Sequence, residues 1–160
     1  METGSVKTNA MRILESLSIP YTVHTYEWDE EHLDAIHAAN SAGLELERVY
    51  KTIVMRNSER NLFVFCLPAE FGISLKKARA VTGSREIDLI RPSELLGLTG
   101  YIRGGCSPLG MKKHYATFIS DLAELEDTIY VSGGQRGVQI EIRPDDLIRA
   151  SDAEYADFIQ

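Results

Sequence analysis

One lysine and two glycine-rich segments are the parts of this chain best suited to hold an anion or a carbonyl group. Lys51 begins the β-rich run 51–54, where its ammonium either extends to water or points into a cleft. By pattern alone, a surface lysine at a strand end is the commoner case, because lysine is almost never fully buried. Tyr26 and His24 alternate on the preceding predicted strand and would share one face of it.

The glycine-rich segments are 104–110, which is followed by two lysines, and 132–137. Backbone N–H groups in such loops can form a fixed cup for an anion or a carbonyl oxygen. Glycine and proline also mark ordinary turns, so a ligand loop and a plain turn both stay open for 104–110. Segment 104–110 and the lysines after it do not have the glycine, lysine and Ser/Thr spacing of a P-loop, so a P-loop is excluded. Two loops of this kind suggest one shared pocket, with Gln139 and Glu141 on one face of the following strand.

Cysteine and histidine chemistry has weaker support. Cys106 lies inside the first loop, but spacing identifies no base or dipole that would activate it, so a structural thiol is the favoured interpretation. Two isolated cysteines cannot form a disulfide framework or a structural zinc site. His32 and His37 are five positions apart, not the three or four that place ligands on one helix face. We therefore predict no metal and no cofactor.

Composition describes an ordinary acidic domain of 160 residues, with net charge −7 and 44% hydrophobic residues. A chain of this length can bury a core without a disulfide or a metal. The acidic total excludes a generally basic nucleic-acid coat, although segment 51–115 carries a net charge of +6. That segment predicts either solvated faces or a basic cleft for an anionic ligand. We expect a cytoplasmic protein, because membrane-length apolar runs and secretory-signal features are both missing from the sequence.

Hydrophobic periodicity predicts alternating helices and strands, with strands more numerous. The predicted helices cover 6–17, 31–42, 74–82, 92–96 and 144–149, and the predicted strands cover 21–26, 50–56, 62–67, 115–119, 128–131 and 138–142. Gly43 should end the second helix, and Ser74 is a suitable N-cap for the third. Strands 50–56 and 62–67 should form a hairpin through the turn 57–61. The sequence contains no repeat and no linker long enough to divide it. We expect one α/β domain, residues 1–160, with a mixed sheet.

Five segments in this order resemble the YbaK family, the bacterial cysteinyl-tRNA(Pro) deacylases of the prolyl-tRNA synthetase editing-domain superfamily. The segments are 24–27, 49–52, 99–101, 104–113 and 129–137. Each alone is weak, but the ordered set is specific, and the resemblance runs from about residue 11 to residue 158. It implies a single α/β domain with a mixed, barrel-like β-sheet surrounded by helices. It also implies an enzyme that removes a wrong amino acid from tRNA without a metal.

The resemblance assigns roles that the residues alone did not. Lys51 matches the essential lysine of the family and Tyr26 matches an active-site tyrosine, so both are expected to be catalytic. Segment 104–108 fits a G-x-x-x-P loop that holds the aminoacyl group near the 3′-terminal adenosine. Substrate contacts are expected from Gly104, Gly105, Ser107, Pro108, Ser132, Gly133, Gly134, Gln139 and Tyr101. Contacts to tRNA are expected from Lys76, Lys77, Lys112, Lys113 and Arg136.

The implied substrate is Cys-tRNA(Pro), whose own thiol would attack the ester and leave a thiolactone. Gln139 departs from the cysteine-deacylating pattern, which has Asp there, so alanyl, seryl and threonyl esters stay as alternatives. The implied partners are aminoacyl-tRNA, especially tRNA(Pro), and a complex with prolyl-tRNA synthetase. Two other classes stay open: a non-catalytic tRNA- or synthetase-binding module, and a thiol enzyme that uses Cys106.

Overall fold

The computed structural model describes residues 7–160. Within them, the helices are α1 (Asn9–Ser16), α2 (Ala35–Ala42), α3 (Leu75–Thr82), α4 (Leu95–Thr99) and α5 (Pro144–Ser151). The strands are β1 (Thr22–Thr25), β2 (Tyr50–Asn57), β3 (Leu62–Pro68), β4 (Ile87–Leu89), β5 (Ala116–Ser120), β6 (Ile129–Ser132), β7 (Val138–Ile142) and β8 (Glu154–Ala156). Short 3-10 helices cover Leu46–Arg48, Pro92–Glu94 and Asp121–Leu125. None of the helices in this part of the chain is long and apolar enough to cross a membrane.

The strands form two sheets, which confirms the predicted α/β class with a mixed sheet. The three-stranded sheet has the order β1-β7-β6 and is antiparallel, and the five-stranded sheet has the order β4-β2-β3-β5-β8. In the larger sheet, β2 runs antiparallel to β3 and β4, whereas β3–β5 and β5–β8 are parallel. A parallel bridge between Val49 and Tyr130 lies where the two sheets meet. Apart from this isolated bridge, the two sheets are separate. The expected barrel-like sheet is therefore not closed among the described residues.

Local side-chain chemistry sets several element boundaries. Asp34 caps α2 by accepting a 2.9 Å hydrogen bond from His37 N, and Gly43 ends that helix with a positive φ of 71°. The predicted start at residue 31 was therefore too early. The predicted N-cap Ser74 is confirmed, since its hydroxyl accepts from Lys77 N at 3.2 Å. Helix α1 begins after the cap Thr8, and the predicted start at residue 6 lies outside the described residues.

The predicted hairpin is confirmed, with β2 and β3 antiparallel and Lys51 opposite Leu67. Asn57 closes its turn, because its side-chain oxygen accepts hydrogen bonds from Asn61 N at 2.8 Å and Glu59 N at 3.1 Å. Strands β4 and β8 were not predicted. Each has three residues at a sheet edge, which is too short for a periodic pattern to show.

The five-stranded sheet is buried on both faces, and alternate residues of β3 show this directly. Phe65 packs in a cluster with Phe118, Phe158 and Ala78 of α3. Cys66 points the other way, into a larger cluster built from α1, α5 and the three-stranded sheet. Two independent sets of core contacts therefore hold β2 and β3 in place. This rigid hairpin is what positions the lysine at the start of β2.

Candidate active site

A cavity of about 220 Å³ lies where β2 meets β6 and β7, beside α2. Five parts of the chain supply its wall: the β1–α2 segment, α2, β2, the loop after α4, and the β6–β7 pair. The lining residues are Tyr26, Leu33, Asp34, Ala35, Ala38, Tyr50, Lys51, Thr52, Ile53, Arg103, Gly104, Cys106, Ser132 and Gln139. Basic, acidic and neutral polar groups thus converge on one largely apolar pocket, which is the usual composition of a small-molecule site.

Lys51 lies half-buried in this cavity. Its Nζ donates a 3.0 Å hydrogen bond to the carbonyl oxygen of Ala69, which follows β3. An ammonium has three N–H donors, so this anchor fixes the group and leaves two donors for a ligand. Burial lowers the pKa of Lys51 from its ordinary value, and the negative charge of Asp34 opposes that shift. The structure therefore does not support a freely solvated strand-end lysine.

Two buried side-chain oxygens among residues 7–160 lack a hydrogen-bond partner, and both line the cavity. They are Thr52 Oγ1, next to Lys51 on β2, and Gln139 Oε1, on a residue that is only 4% exposed. Gln139 lies directly opposite Ser132 in the β6–β7 register, and Ser132 also lines the cavity. An unpartnered buried polar atom is costly, so Gln139 Oε1 indicates a site for a ligand that supplies a hydrogen-bond donor.

The two glycine-rich loops touch each other, as the idea of a shared pocket predicts. A Cβ placed on Gly105 would lie 2.8 Å from Gln135 Cα and 3.0 Å from Arg136 N, so the backbones pack directly together. Gly105 N–H donates to Ile102 O at 2.9 Å and is used within its own loop. Only a residue without a side chain permits this approach.

The structure brings five of the predicted catalytic and substrate-binding residues to the cavity: Lys51, Tyr26, Gly104, Ser132 and Gln139. The others lie behind the wall, where Gly105, Ser107, Pro108 and Gly133 are buried. Tyr101 is also buried and donates its hydroxyl to the carbonyl of Leu109, while its ring lies 3.1 Å from a Cβ position on Gly134. These residues support the loops and do not contact the cavity.

The predicted tRNA-binding residues separate into two groups. Arg136 lies beside the cavity, since its Nε donates to the carbonyl of Arg103 at 2.9 Å. Lys112 and Lys113 are exposed in the segment after the first loop, and Lys112 Nζ donates to Gly97 O at 3.4 Å. Lys76 and Lys77 belong to α3, which packs on the phenylalanine cluster, and Lys77 pairs with Asp157 at 3.2 Å. The structure thus does not bring Lys76 and Lys77 to the cavity.

Sequence reasoning assigned no role to several cavity residues, including Leu33, Asp34, Thr52 and Arg103. Arg103 is exposed at the cavity and directly precedes the glycine-rich segment 104–110. Asp34 is held by His37, whose Nδ1 lies 2.7 Å from Asp34 Oδ2. Burial would raise the pKa of Asp34, but hydrogen bonds from His37 outweigh it and lower that pKa.

Cys106 lines the cavity but lacks the environment of a nucleophile. Burial raises the pKa of its thiol to about 12, so the reactive thiolate is scarce at neutral pH. Among residues 7–160, no group of three or more His, Cys, Asp and Glu side chains could hold a metal ion.

Comparisons with known proteins place this site in a family. A family model described as "Aminoacyl-tRNA editing domain" matches residues 29–150. The chain belongs to the aminoacyl-tRNA editing domain family. The matched range contains every cavity-lining residue of this editing domain except Tyr26. The family inferred from the five sequence segments is therefore confirmed.

Relatives of the editing domain agree with this assignment. A protein of Enterococcus faecalis (strain ATCC 700802 / V583), named "Putative Cys-tRNA(Pro)/Cys-tRNA(Cys) deacylase EbsC", is 37% identical over 151 residues, which cover 94% of this chain and 92% of the relative. A crystal structure described as "a putative trans-editing enzyme for prolyl tRNA synthetase" superposes with a TM-score of 0.79 at 20% identity, covering 98% of this chain and 99% of the other. Hypothetical protein APE2540 gives a TM-score of 0.86 at 18% identity, covering 96% and 100%. The two structural likenesses support the fold.

Proposed function

We propose that this editing domain is a trans-editing deacylase that removes a mischarged amino acid from tRNA, with Cys-tRNA(Pro) as its first substrate. The observation that carries the proposal is the position of Lys51. Its ammonium is fixed by Ala69 O inside a cavity that also holds the unpartnered Gln139 oxygen. A cation and a neutral acceptor in one small pocket suit an aminoacyl ester, which presents a carbonyl oxygen and an α-ammonium.

The chemistry needs little more than positioning, because an aminoacyl ester is already activated. Lys51 donates to the ester carbonyl or a ribose oxygen, and the loop at Gly104 lies close enough to confine the group. The cysteine thiol, as thiolate, forms a bond from sulfur to the carbonyl carbon, and the bond from that carbon to the ribose oxygen breaks. The ribose oxygen takes up the proton that the thiol released. The products are a cyclic thiolactone, which water then opens, and uncharged tRNA.

The identity of the amino acid that is removed depends on Gln139. Its Oε1 is an acceptor, and the substrate's α-ammonium is the nearest match for an acceptor that the protein leaves unpaired. A neutral amide attracts that ammonium less strongly than the carboxylate of the cysteine-deacylating pattern would. The alternative substrates are therefore alanyl, seryl or threonyl esters, which have the same α-ammonium but a different side chain.

The proposal includes a partner and a location. An acidic chain of net charge −7 can neutralise few phosphates, so its own affinity for tRNA should be weak and salt-sensitive. We propose that prolyl-tRNA synthetase delivers tRNA(Pro) to this domain in the cytoplasm, where translation uses the tRNA. Stimulation of ester loss by the added synthetase, or its co-purification with the domain, is the expected result.

A panel of aminoacyl-tRNAs tests the proposal. The purified protein is incubated with tRNAs charged with Cys, Ala, Ser, Thr or Pro, with and without prolyl-tRNA synthetase, and ester loss is followed beside Lys51→Ala. We expect selective, Lys51-dependent loss of Cys. Selective loss of another amino acid would assign a different substrate class to the same site.

The same panel separates the rival functions. A thiol enzyme would lose all activity on Cys106→Ser, whereas the proposed deacylase keeps Lys51-dependent cleavage in that variant. If every ester stays intact although the synthetase is present and the tRNA is bound, the deacylase proposal is contradicted. The protein would then be a non-catalytic binding module.

A further inference from the structure

Trp28 lies beside the cavity without being part of its wall. It is the single tryptophan of the chain and is 44% exposed. Two residues earlier, Tyr26 lines the cavity, and Tyr26 N donates to Gly137 O at 2.9 Å. A lone exposed hydrophobic side chain is common on protein surfaces, so exposure alone has no meaning here. The surroundings of the indole are what distinguish it.

Those surroundings hold the indole in one orientation. Gly137 has φ +83°, and a Cβ on it would lie 2.8 Å from Trp28 Cδ1, so one indole edge rests on bare backbone. The Arg136 guanidinium carbon is 5.2 Å from the centre of the ring, within the range of a cation–π contact. Arg136 in turn donates to the carbonyl of Arg103, whose side chain lines the cavity. The second glycine-rich loop thus joins the indole, a guanidinium and the cavity wall into one unit.

A solvent-exposed ring with an adjoining guanidinium is suited to a nucleobase. Every base has a π-face that stacks on indole, and arginine adds a planar cation that can stack or contact phosphate. In the proposed substrate, the ester and the terminal base belong to one nucleoside. When the ester enters the cavity, the base must therefore lie close to the cavity's edge, where this unit stands.

We propose that Trp28 and Arg136 form a platform on which the terminal adenine of a tRNA 3′ end stacks while the attached ester occupies the cavity. The ester part rests on the proposed function, whereas binding of the base does not require cleavage. The platform would recognise the RNA end whichever amino acid it carries. Amino-acid choice would then depend on the cavity alone.

The single tryptophan allows a direct test with uncharged RNA. The protein is titrated with an RNA oligonucleotide ending in CCA, with the same oligonucleotide lacking the terminal base, and with AMP, while indole fluorescence is recorded. We expect quenching by the CCA oligonucleotide, weaker binding of AMP, and little quenching by the abasic oligonucleotide. Equal fluorescence responses to the CCA and abasic oligonucleotides would overturn the proposal.

Variants extend the test to affinity, measured by anisotropy of a labelled CCA oligonucleotide. Trp28→Ala should weaken binding about 5- to 100-fold, and Trp28→Phe, which keeps a ring, should restore much of it. Circular dichroism verifies that both variants are folded. Affinity that is unchanged in folded Trp28→Ala would refute the platform. Because the RNA carries no amino acid, these measurements do not depend on ester cleavage. The adenine platform and the deacylase activity can therefore fail separately.

Discussion

The ammonium of Lys51 is fixed in position, and its pKa is lowered. The Ala69 carbonyl anchors one N–H, and the surrounding protein removes water from the ammonium, which lowers the pKa of Lys51. Asp34 opposes that shift with its negative charge. Lys51 therefore loses its positive charge at a lower pH than a solvated lysine does.

For the proposed deacylase, this pKa direction predicts how activity changes at alkaline pH. As the pH rises through the lowered pKa, Lys51 loses the charge that holds the ester, so deacylation should decline before the ordinary lysine value of about 10.4 is reached. Lys51→Arg stays charged, so any activity that it retains should not show this decline. Rates are measured across alkaline pH and corrected for spontaneous ester hydrolysis. A flat profile for the native protein, or the same decline in Lys51→Arg, would contradict the role of the ammonium.

At the scale of elements, α2 closes one side of the cavity and depends on Asp34. This residue caps the helix through His37 N and also lines the cavity, so one side chain serves the element and the site. The two roles can be separated, since asparagine caps a helix about as well as aspartate but has no charge.

The cap predicts different outcomes for two substitutions. Asp34→Ala should lower the free energy of unfolding by about 1 kcal/mol, whereas Asp34→Asn should change it much less. Both variants remove the charge that supports the Lys51 ammonium, so both should move the alkaline decline of activity to lower pH. Urea unfolding and pH–rate profiles provide the two measurements. Equal losses of stability in the two variants would show that the cap is not the source of the effect.

At the scale of the whole molecule, the site depends on two loops that are distant in sequence and packed backbone to backbone. Gly105 approaches the backbone of Gln135 too closely for any side chain to fit. The Gly104 and Ser132 positions beside this contact both line the cavity. The distance between the loops therefore sets the width of the pocket.

Adding a methyl group at this contact should widen the pocket. Gly105→Ala places its Cβ 2.8 Å from Gln135 Cα, a backbone atom that cannot rotate away, and we expect at least a tenfold loss of deacylation in a folded protein. Gly97→Ala in α4 is the matched control, because a Cβ there meets nothing within 4 Å. That change should leave activity intact and stabilise the helix by up to about 1 kcal/mol. Similar activities in the two variants would refute the importance of the loop contact.

The sequence predicted the parts of this fold whose signals are local. The β2–β3 hairpin, the Ser74 cap and the end of α2 at Gly43 all follow from short-range patterns, and the structure confirms them. Strand β8 could not be predicted, because its pairing with β5 depends on a contact between distant parts of the chain. The same limit explains the early start given to the second helix, since cap geometry decides that boundary.

For the site, glycine density indicated the two loops but not which of their residues line the cavity. Tyr101 matched a family segment, yet its hydroxyl binds Leu109 and its ring supports the second loop from behind. Arg103 and Asp34 had no distinguishing pattern, because only the folded chain places them at the cavity. Residue type thus pointed to the chemistry, and tertiary packing decided which residues face the cavity.

The most direct test of the central claim is the rate at which the ester of Cys-tRNA(Pro) is lost under single-turnover conditions, with the native protein and with Lys51→Ala. We expect rapid ester loss with the native protein and loss near the spontaneous rate with a folded Lys51→Ala. Equal rates with both proteins, well above the spontaneous rate, would contradict it, because the anchored ammonium would then have no part in the reaction.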